Sequence, residues 1–128
     1  MLSVDTNVIV RFLTGDDPDQ ASRARELIAG HEVWVGVTVV LETERVLRSV
    51  YGYAPAQISG ALRSLAGLPR LEIEQAATIE RGLTLHDAGM DFADALHLAT
   101  ADHCEAFVTF DKRCVETAKL LGLSAREP

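Results

Sequence analysis

Short apolar runs alternate with amphipathic helical patterns along the chain, and this alternation restricts the fold more than any other feature. The apolar runs lie at residues 2–4, 33–37, 71–74 and 106–110, with a possible short one at 123–125. The segments between them carry apolar residues at helical spacing. Strands that alternate with helices form βαβ units. We therefore predict an α/β fold with a parallel sheet and helices on both faces.

Polar residues mark several helix starts. Thr6 or Asn7 is the expected N-cap of the first helix. Asp17 is the expected N-cap of the second helix, with Gln20 completing a capping box. Thr38 is expected to cap the helix that follows the second strand.

Composition limits the class of protein. A chain of 128 residues with 48% hydrophobic and 24% charged residues is typical of one soluble domain, here residues 1–128. No apolar run approaches a membrane span and no signal peptide is recognisable, so we expect a cytoplasmic protein without membrane contact. The net charge of −7 argues against a simple basic, phosphate-binding surface but does not exclude nucleic acid as a substrate. It favours a basic partner.

Four acidic residues fall at equivalent places in the predicted fold. Asp5 follows the first strand, and Glu42 lies in the helix after the second. Asp94 lies in the first turn of the helix before the fourth strand, and Asp111 follows that strand. The carboxyl ends of parallel strands share one edge, where ligands bind. We expect Asp5, Glu42 and Asp111 to converge there, joined by Asp94 if its helix starts at that edge.

Clustered carboxylates repel one another unless a cation or protons neutralise them. Ligands that are all oxygen favour Mg²⁺ or Mn²⁺ over zinc. Such a centre activates water and polarises a phosphoryl oxygen, which indicates metal-assisted hydrolysis of a phosphodiester. A pair of carboxylates of the glycosidase type is the alternative interpretation of these acids, but it would need only two of the four and a cleft for a sugar.

Other polar residues near these acids have simpler interpretations. Asp91 is expected to cap the helix that carries Asp94, with a supporting role beside Asp94 as the alternative. His97, three residues after Asp94, either pairs with it or is a structural histidine. Arg45 and Arg48 either approach a phosphate or lie on a solvated helix face.

Four blocks in this order resemble a known family. They are VDTNVIVRFL at 4–13, VTVVLETERVLRSVYGY at 37–53, DFADALHLATA at 91–101 and FVTFDK at 107–112. The chain resembles PIN-domain proteins over essentially its whole length, and most closely the VapC toxins of bacterial type II toxin–antitoxin pairs. The resemblance implies a three-layer sandwich with the parallel strand order 3-2-1-4-5. It also implies a Mg²⁺- or Mn²⁺-dependent ribonuclease.

The resemblance also assigns residues and partners. It places the acidic positions of the family, as catalytic residues and metal ligands, at Asp5, Glu42, Asp94 and Asp111, and Glu42 is preferred to its rival Glu44 because it follows the Val-Val-Leu block. The polar helpers match Thr6, Asn7 and Thr109. The family implies an RNA substrate, a homodimer, and a VapB-like antitoxin with a basic tail that gives a heterotetramer or a larger assembly.

Two other function classes fit part of the sequence. A receiver-like phosphoryl acceptor would need an Asp after its middle strand, whereas the third apolar run ends in Glu74-Gln75. Phosphatases with an Asp nucleophile follow a D-x-D pattern, and this chain has Asp5-Thr6-Asn7. A non-catalytic partner-binding module on the same fold is the third possibility, against which the presence of all four acids argues.

Overall fold

A computed structural model describes all 128 residues and shows a mixed α/β protein with five strands and seven helices. The strands are β1 (Leu2–Ser3), β2 (Val33–Val35), β3 (Leu71–Ile73), β4 (Phe107–Val108) and β5 (Ala125–Arg126). The helices are α1 (Thr6–Thr14), α2 (Pro18–Gly30), α3 (Val37–Ser49), α4 (Pro55–Ala66), α5 (Ala76–Asp87), α6 (Phe92–Thr100) and α7 (Lys112–Leu120). None of these helices combines the length and the apolar character needed to span a membrane.

The chain divides into two compact units, Met1–Ala76 and Ala77–Pro128. In the first unit β2 lies between β1 and β3, and both pairings are parallel. Val33 pairs with Leu2 on one side and with Leu71 on the other. Val33 and Val35 are fully buried, because a central parallel strand is covered on both faces. The helices contribute buried apolar side chains to the same unit: Ile9, Val40, Leu47, Ile58, Leu62 and Leu65.

The second unit contains the parallel pair of β4 and β5, in which Phe107 lies opposite Ala125. Its helices pack apolar side chains into one cluster: Leu85, Met90, Ala95, Leu98, Cys114, Ala118 and Ala125, with Phe107 against them. Gly82 of α5 lies close to Leu96 of α6, since a Cβ on Gly82 would lie 2.7 Å from Cδ2 of Leu96. Helices α5 and α6 therefore approach each other closely at this point.

The structure confirms the predicted α/β class and the parallel pairing of the strands. Within the two sheets the neighbours are β1-β2-β3 and β4-β5. The five-strand order 3-2-1-4-5 as a whole and the single domain over residues 1–128 stay predictions.

The predicted helix caps are correct in part. Asp17 caps α2 by accepting the amide N–H of Gln20, but the Gln20 side chain accepts from Arg11 Nε at 2.8 Å instead of completing a capping box. The prediction of Thr6 or Asn7 as the first cap was wrong. The first strand ends at Ser3, so α1 begins at Thr6 and Asp5 takes the cap position.

The prediction of Thr38 as a cap was also wrong. Helix α3 begins at Val37, so Thr38 is already its second residue. Gly36 takes the cap position and has no side chain to form a cap. The carboxylate of Glu74 accepts the Val37 N–H at 2.9 Å and satisfies this free backbone donor in place of a local cap.

Candidate active site

The junction of β1 and α1 carries Asp5 and Thr6, and Glu42 of α3 contacts it. Asp5 Oδ1 accepts the Val8 N–H at 3.2 Å, so this carboxylate caps α1 while it remains exposed at the carboxyl end of β1. Thr6 is buried, and its hydroxyl donates a hydrogen bond to the carboxylate of Glu42. The structure therefore brings Glu42 to Thr6, the residue that follows Asp5 in the sequence.

Helix α3 presents Glu42 toward Thr6 because its start is held from two sides. The Glu74 carboxylate binds the Val37 N–H, and Gly36 lies against the indole of Trp34. A Cβ on Gly36 would come within 3.2 Å of Trp34 Cζ3, which is closer than most Cβ contacts. This role of Glu74 was not predicted, and its only signal in the sequence is its position at the end of the third apolar run.

Glu44, the rival of Glu42, has a different environment. Its side chain is buried and accepts a hydrogen bond from Arg48 Nε at 3.0 Å, one helical turn away. A buried carboxylate is stable only when it is paired, and Arg48 supplies that pairing. Arg48 is thus engaged with Glu44 inside α3.

Asn7 is exposed and lines a different cavity from the acids. This cavity, the α1–α2 groove, has a volume of about 580 Å³. Its apolar floor contains Val8, Ala24 and Leu27, and Arg11 lies among its polar residues. A salt bridge of 2.9 Å from Arg11 to Asp16 holds the Arg11 guanidinium, and the Tyr51 hydroxyl donates to the same carboxylate.

The second unit places three carboxylates around one small pocket. Asp91, Asp94 and Asp111 line a cavity of about 180 Å³, which we call the acidic pocket. Asp91 caps α6 by accepting the Asp94 N–H at 3.3 Å, and Asp111 caps α7 by accepting the Cys114 N–H at 3.1 Å. The Asp94 side chain has no such capping duty, because Asp94 lies inside the first turn of α6.

Thr109 supports this pocket through the backbone. Its hydroxyl oxygen accepts the Asp111 N–H at 3.1 Å, and its own N–H donates to the Arg126 carbonyl at 3.0 Å. Thr109 therefore fixes the turn from β4 into α7 on which Asp111 lies. His97 is exposed and stacks on Phe107 with ring centroids 6.3 Å apart.

The electrostatics of the acidic pocket disfavour a further negative charge. Burial raises the pKa of Asp94, and the neighbouring carboxylates of Asp91 and Asp111 raise it further, while His97 opposes the shift. Burial and the same three carboxylates also raise the pKa of the Cys114 thiol. A cation in this pocket would relieve the repulsion, which is the electrostatic property expected of a metal site.

The sequence matches the PIN domain family over residues 2–120. The chain belongs to the PIN domain family. This match includes every position of the predicted site, from Asp5 to Asp111, and PIN domains are typically nucleases that use divalent metals. A comparison with curated proteins found no match to the chain.

The donor chemistry of this PIN domain fits a hard divalent cation, because the predicted ligands are all carboxylates. The structure groups no three or more His, Cys, Asp or Glu side chains closely enough to hold a metal ion, and this includes the three acids of the acidic pocket. The predicted set takes Asp5 and Glu42 from the first unit and Asp94 and Asp111 from the second. Its assembly around a metal stays a prediction.

Five further residues line the acidic pocket and were not predicted as site residues: Gly89, Met90, Arg113, Cys114 and Thr117. Arg113 and Cys114 line the pocket beside the acids. Both follow Asp111 within the first turn of α7, so the sequence D-K-R-C contained the signal. Cys114 is a free, buried thiol, and Cys104 is free and exposed.

Proposed function

We propose that this PIN domain is a ribonuclease that hydrolyses phosphodiester bonds of RNA with Mg²⁺ or Mn²⁺. The observation that carries the proposal is the acidic pocket, where Asp94 lies between two other carboxylates and has a raised pKa. The Asp94 carboxylate does not stabilise the fold by a helix cap or a salt bridge, so stability does not explain its position beside two other carboxylates. A bound divalent cation would polarise the phosphoryl group and lower the pKa of water.

The residues of the chain would divide the remaining work. Asp5, Asp94 and Asp111 would hold the metal through carboxylate oxygens, and two of them are already oriented by their capping hydrogen bonds. Glu42 would join them, oriented by the hydroxyl of Thr6. Thr109 and Asp91 would support the site through the backbone bonds described above, whereas the predicted help of Asn7 has no contact behind it, since Asn7 lines the α1–α2 groove.

The test of this proposal is cleavage of RNA by the purified chain with Mg²⁺, with Mn²⁺ and with a chelator. We expect cleavage only with metal, and calorimetric titration should detect metal binding in the absence of RNA. Metal binding without cleavage of any RNA would favour a non-catalytic partner-binding module. If the chain neither binds metal nor cleaves RNA, the nuclease proposal is refuted.

We propose further that the ribonuclease is a VapC-type toxin. The resemblance of the four acidic blocks to VapC toxins supports this, and induced expression should then arrest growth and produce new RNA ends. Sequencing those ends would identify whether tRNA, ribosomal RNA or mRNA is cut. Growth arrest that persists in the Asp94→Asn variant would mean that toxicity does not come from cleavage.

The proposed inhibitor is a VapB-like antitoxin with a basic tail. Arginine matches a carboxylate with a planar, bidentate fork, so an arginine can neutralise the acidic pocket in place of metal. The net charge of −7 would accelerate its approach at low salt.

Co-purification of the natural partner tests this inhibitor. Replacement of its tail arginines by Ala should restore RNA cleavage, whereas full inhibition by the Ala tail would contradict the proposed plug. Light scattering of the toxin alone and of the complex would show whether the expected homodimer and heterotetramer, or a larger assembly, form in solution.

A further inference from the structure

Phe110 is the most exposed aromatic residue of the second unit and lies directly before Asp111 of the acidic pocket. Its relative exposure is 82%, although it lies in the apolar run 106–110, for which the sequence predicts a strand. Strand β4 ends at Val108, so Phe110 projects from the turn between β4 and α7. A single exposed apolar residue is common on protein surfaces, so the function of Phe110 is argued from the residues around it.

The backbone on both sides of Phe110 is fixed. Thr109 donates its N–H to the Arg126 carbonyl, and its hydroxyl accepts the Asp111 N–H. Asp111 in turn caps α7 through the Cys114 N–H. The ring is therefore mounted on a rigid turn, and its ordering on binding would cost little backbone entropy.

Two cations follow the ring. Lys112 and Arg113 are exposed in the first turn of α7, where positive charge is unfavourable because the helix N-terminus is itself positive. The ion pairs of the structure are formed by other residues. In a chain of net charge −7, two adjacent unpaired cations beside an acidic pocket are suited to bind an anion.

We propose that Phe110 stacks on an unpaired base of single-stranded RNA while Lys112 and Arg113 bind its backbone phosphates, next to the acidic pocket. Exposed aromatic rings beside basic residues are the usual means of binding single strands, because every base has a stacking face. Bases in a duplex are already stacked on their neighbours. This inference rests on the proposed function and names its substrate class.

A protein partner is the other possible occupant of this surface. The core of a protein interface is depleted of charged residues, whereas Phe110 is followed immediately by Asp111, Lys112 and Arg113. The alternation of ring, carboxylate and cations therefore favours nucleic acid.

The test is equilibrium binding of a fluorescent single-stranded oligoribonucleotide and of its duplex, measured in chelator so that no cleavage occurs. Phe110→Ala should weaken the affinity for the single strand by about 5- to 150-fold, the range found for loss of one stacking aromatic. Phe110→Trp should keep the wild-type affinity for the single strand, and bound RNA should quench the fluorescence of the introduced Trp. The wild type supplies the background of Trp34, the single native tryptophan.

Leu120→Ala is the matched control, since Leu120 is 87% exposed at the other end of α7. It should bind the single strand like the wild type. Unchanged affinity of Phe110→Ala, an equal loss in Leu120→Ala, or no binding of RNA by the wild type would overturn the inference. A fall in molar mass of Phe110→Ala by light scattering would also overturn it, because the ring would then contact a second copy.

Cleavage measurements separate this inference from the proposed nuclease. If the wild type cleaves RNA and Phe110→Ala binds it normally, only the stacking role fails. If Phe110 governs binding but the wild type with metal never cleaves, only the nuclease proposal fails.

Discussion

Asp111 has two roles that different substitutions separate. Its Oδ1 accepts the Cys114 N–H at 3.1 Å, which caps α7, and its charge contributes to the acidic pocket. Asn keeps a side-chain oxygen for the cap but removes the charge, whereas Ala removes both. Loss of an N-cap costs about 0.5–2 kcal/mol of the free energy of unfolding. For a chain of this length, a loss of ~1 kcal/mol lowers Tm by roughly 3–5 °C.

We therefore expect Asp111→Ala, but not Asp111→Asn, to lower Tm in thermal unfolding followed by circular dichroism at neutral pH. Both variants should lose RNA cleavage by roughly two to three powers of ten, the usual cost of one catalytic group. Equal melting temperatures of the two variants would contradict the capping role. Wild-type cleavage by Asp111→Asn would contradict the catalytic role.

Three further predictions concern stability. The pKa of Asp94 is raised in the fold, so its charge costs stability as pH rises through that pKa; Asp94→Asn should therefore raise Tm at pH 7, and this gain should vanish at acid pH. Mg²⁺ or Mn²⁺ at a concentration of one hundred times Kd should raise the free energy of unfolding of the wild type by about 2.7 kcal/mol, as measured by thermal unfolding. The same concentration should stabilise Asp5→Asn less. Gly15→Ala, at the C-cap of α1 with a left-handed φ of 65°, should lower the denaturant midpoint by the equivalent of about 1–2 kcal/mol.

Helices were the most predictable part of the fold, because their apolar spacing is local information. Helix α2 begins at Pro18 after the Asp17 cap and α6 begins at Phe92 after the Asp91 cap, as predicted. Cap identity was less predictable, since a shift of one residue at the end of β1 moved the cap from Thr6 to Asp5. That shift leaves the Thr6 hydroxyl for Glu42.

Contacts distant in sequence could not be predicted. Glu74 binds the Val37 N–H across 37 residues of sequence, and no local pattern announces such a bond. The exposure of Phe110 was not predictable, because its apolar neighbours extend the predicted strand to residues 106–110, whereas β4 ends at Val108. The positions of the acids were easier, because Asp5, Asp91 and Asp111 occupy cap positions at strand ends or helix starts.

The most direct measurement of the central claim is metal-dependent RNA cleavage by Asp5→Asn and Asp94→Asn, one acid from each unit. Asp19→Asn is the control, since Asp19 is an exposed acid of α2 with a long, 3.8 Å ion pair to Arg23. We predict that both site variants fold and lose nearly all cleavage, by two to three powers of ten or more, while the control cleaves like the wild type. Wild-type rates in both site variants would contradict the assignment of these carboxylates to a nuclease site.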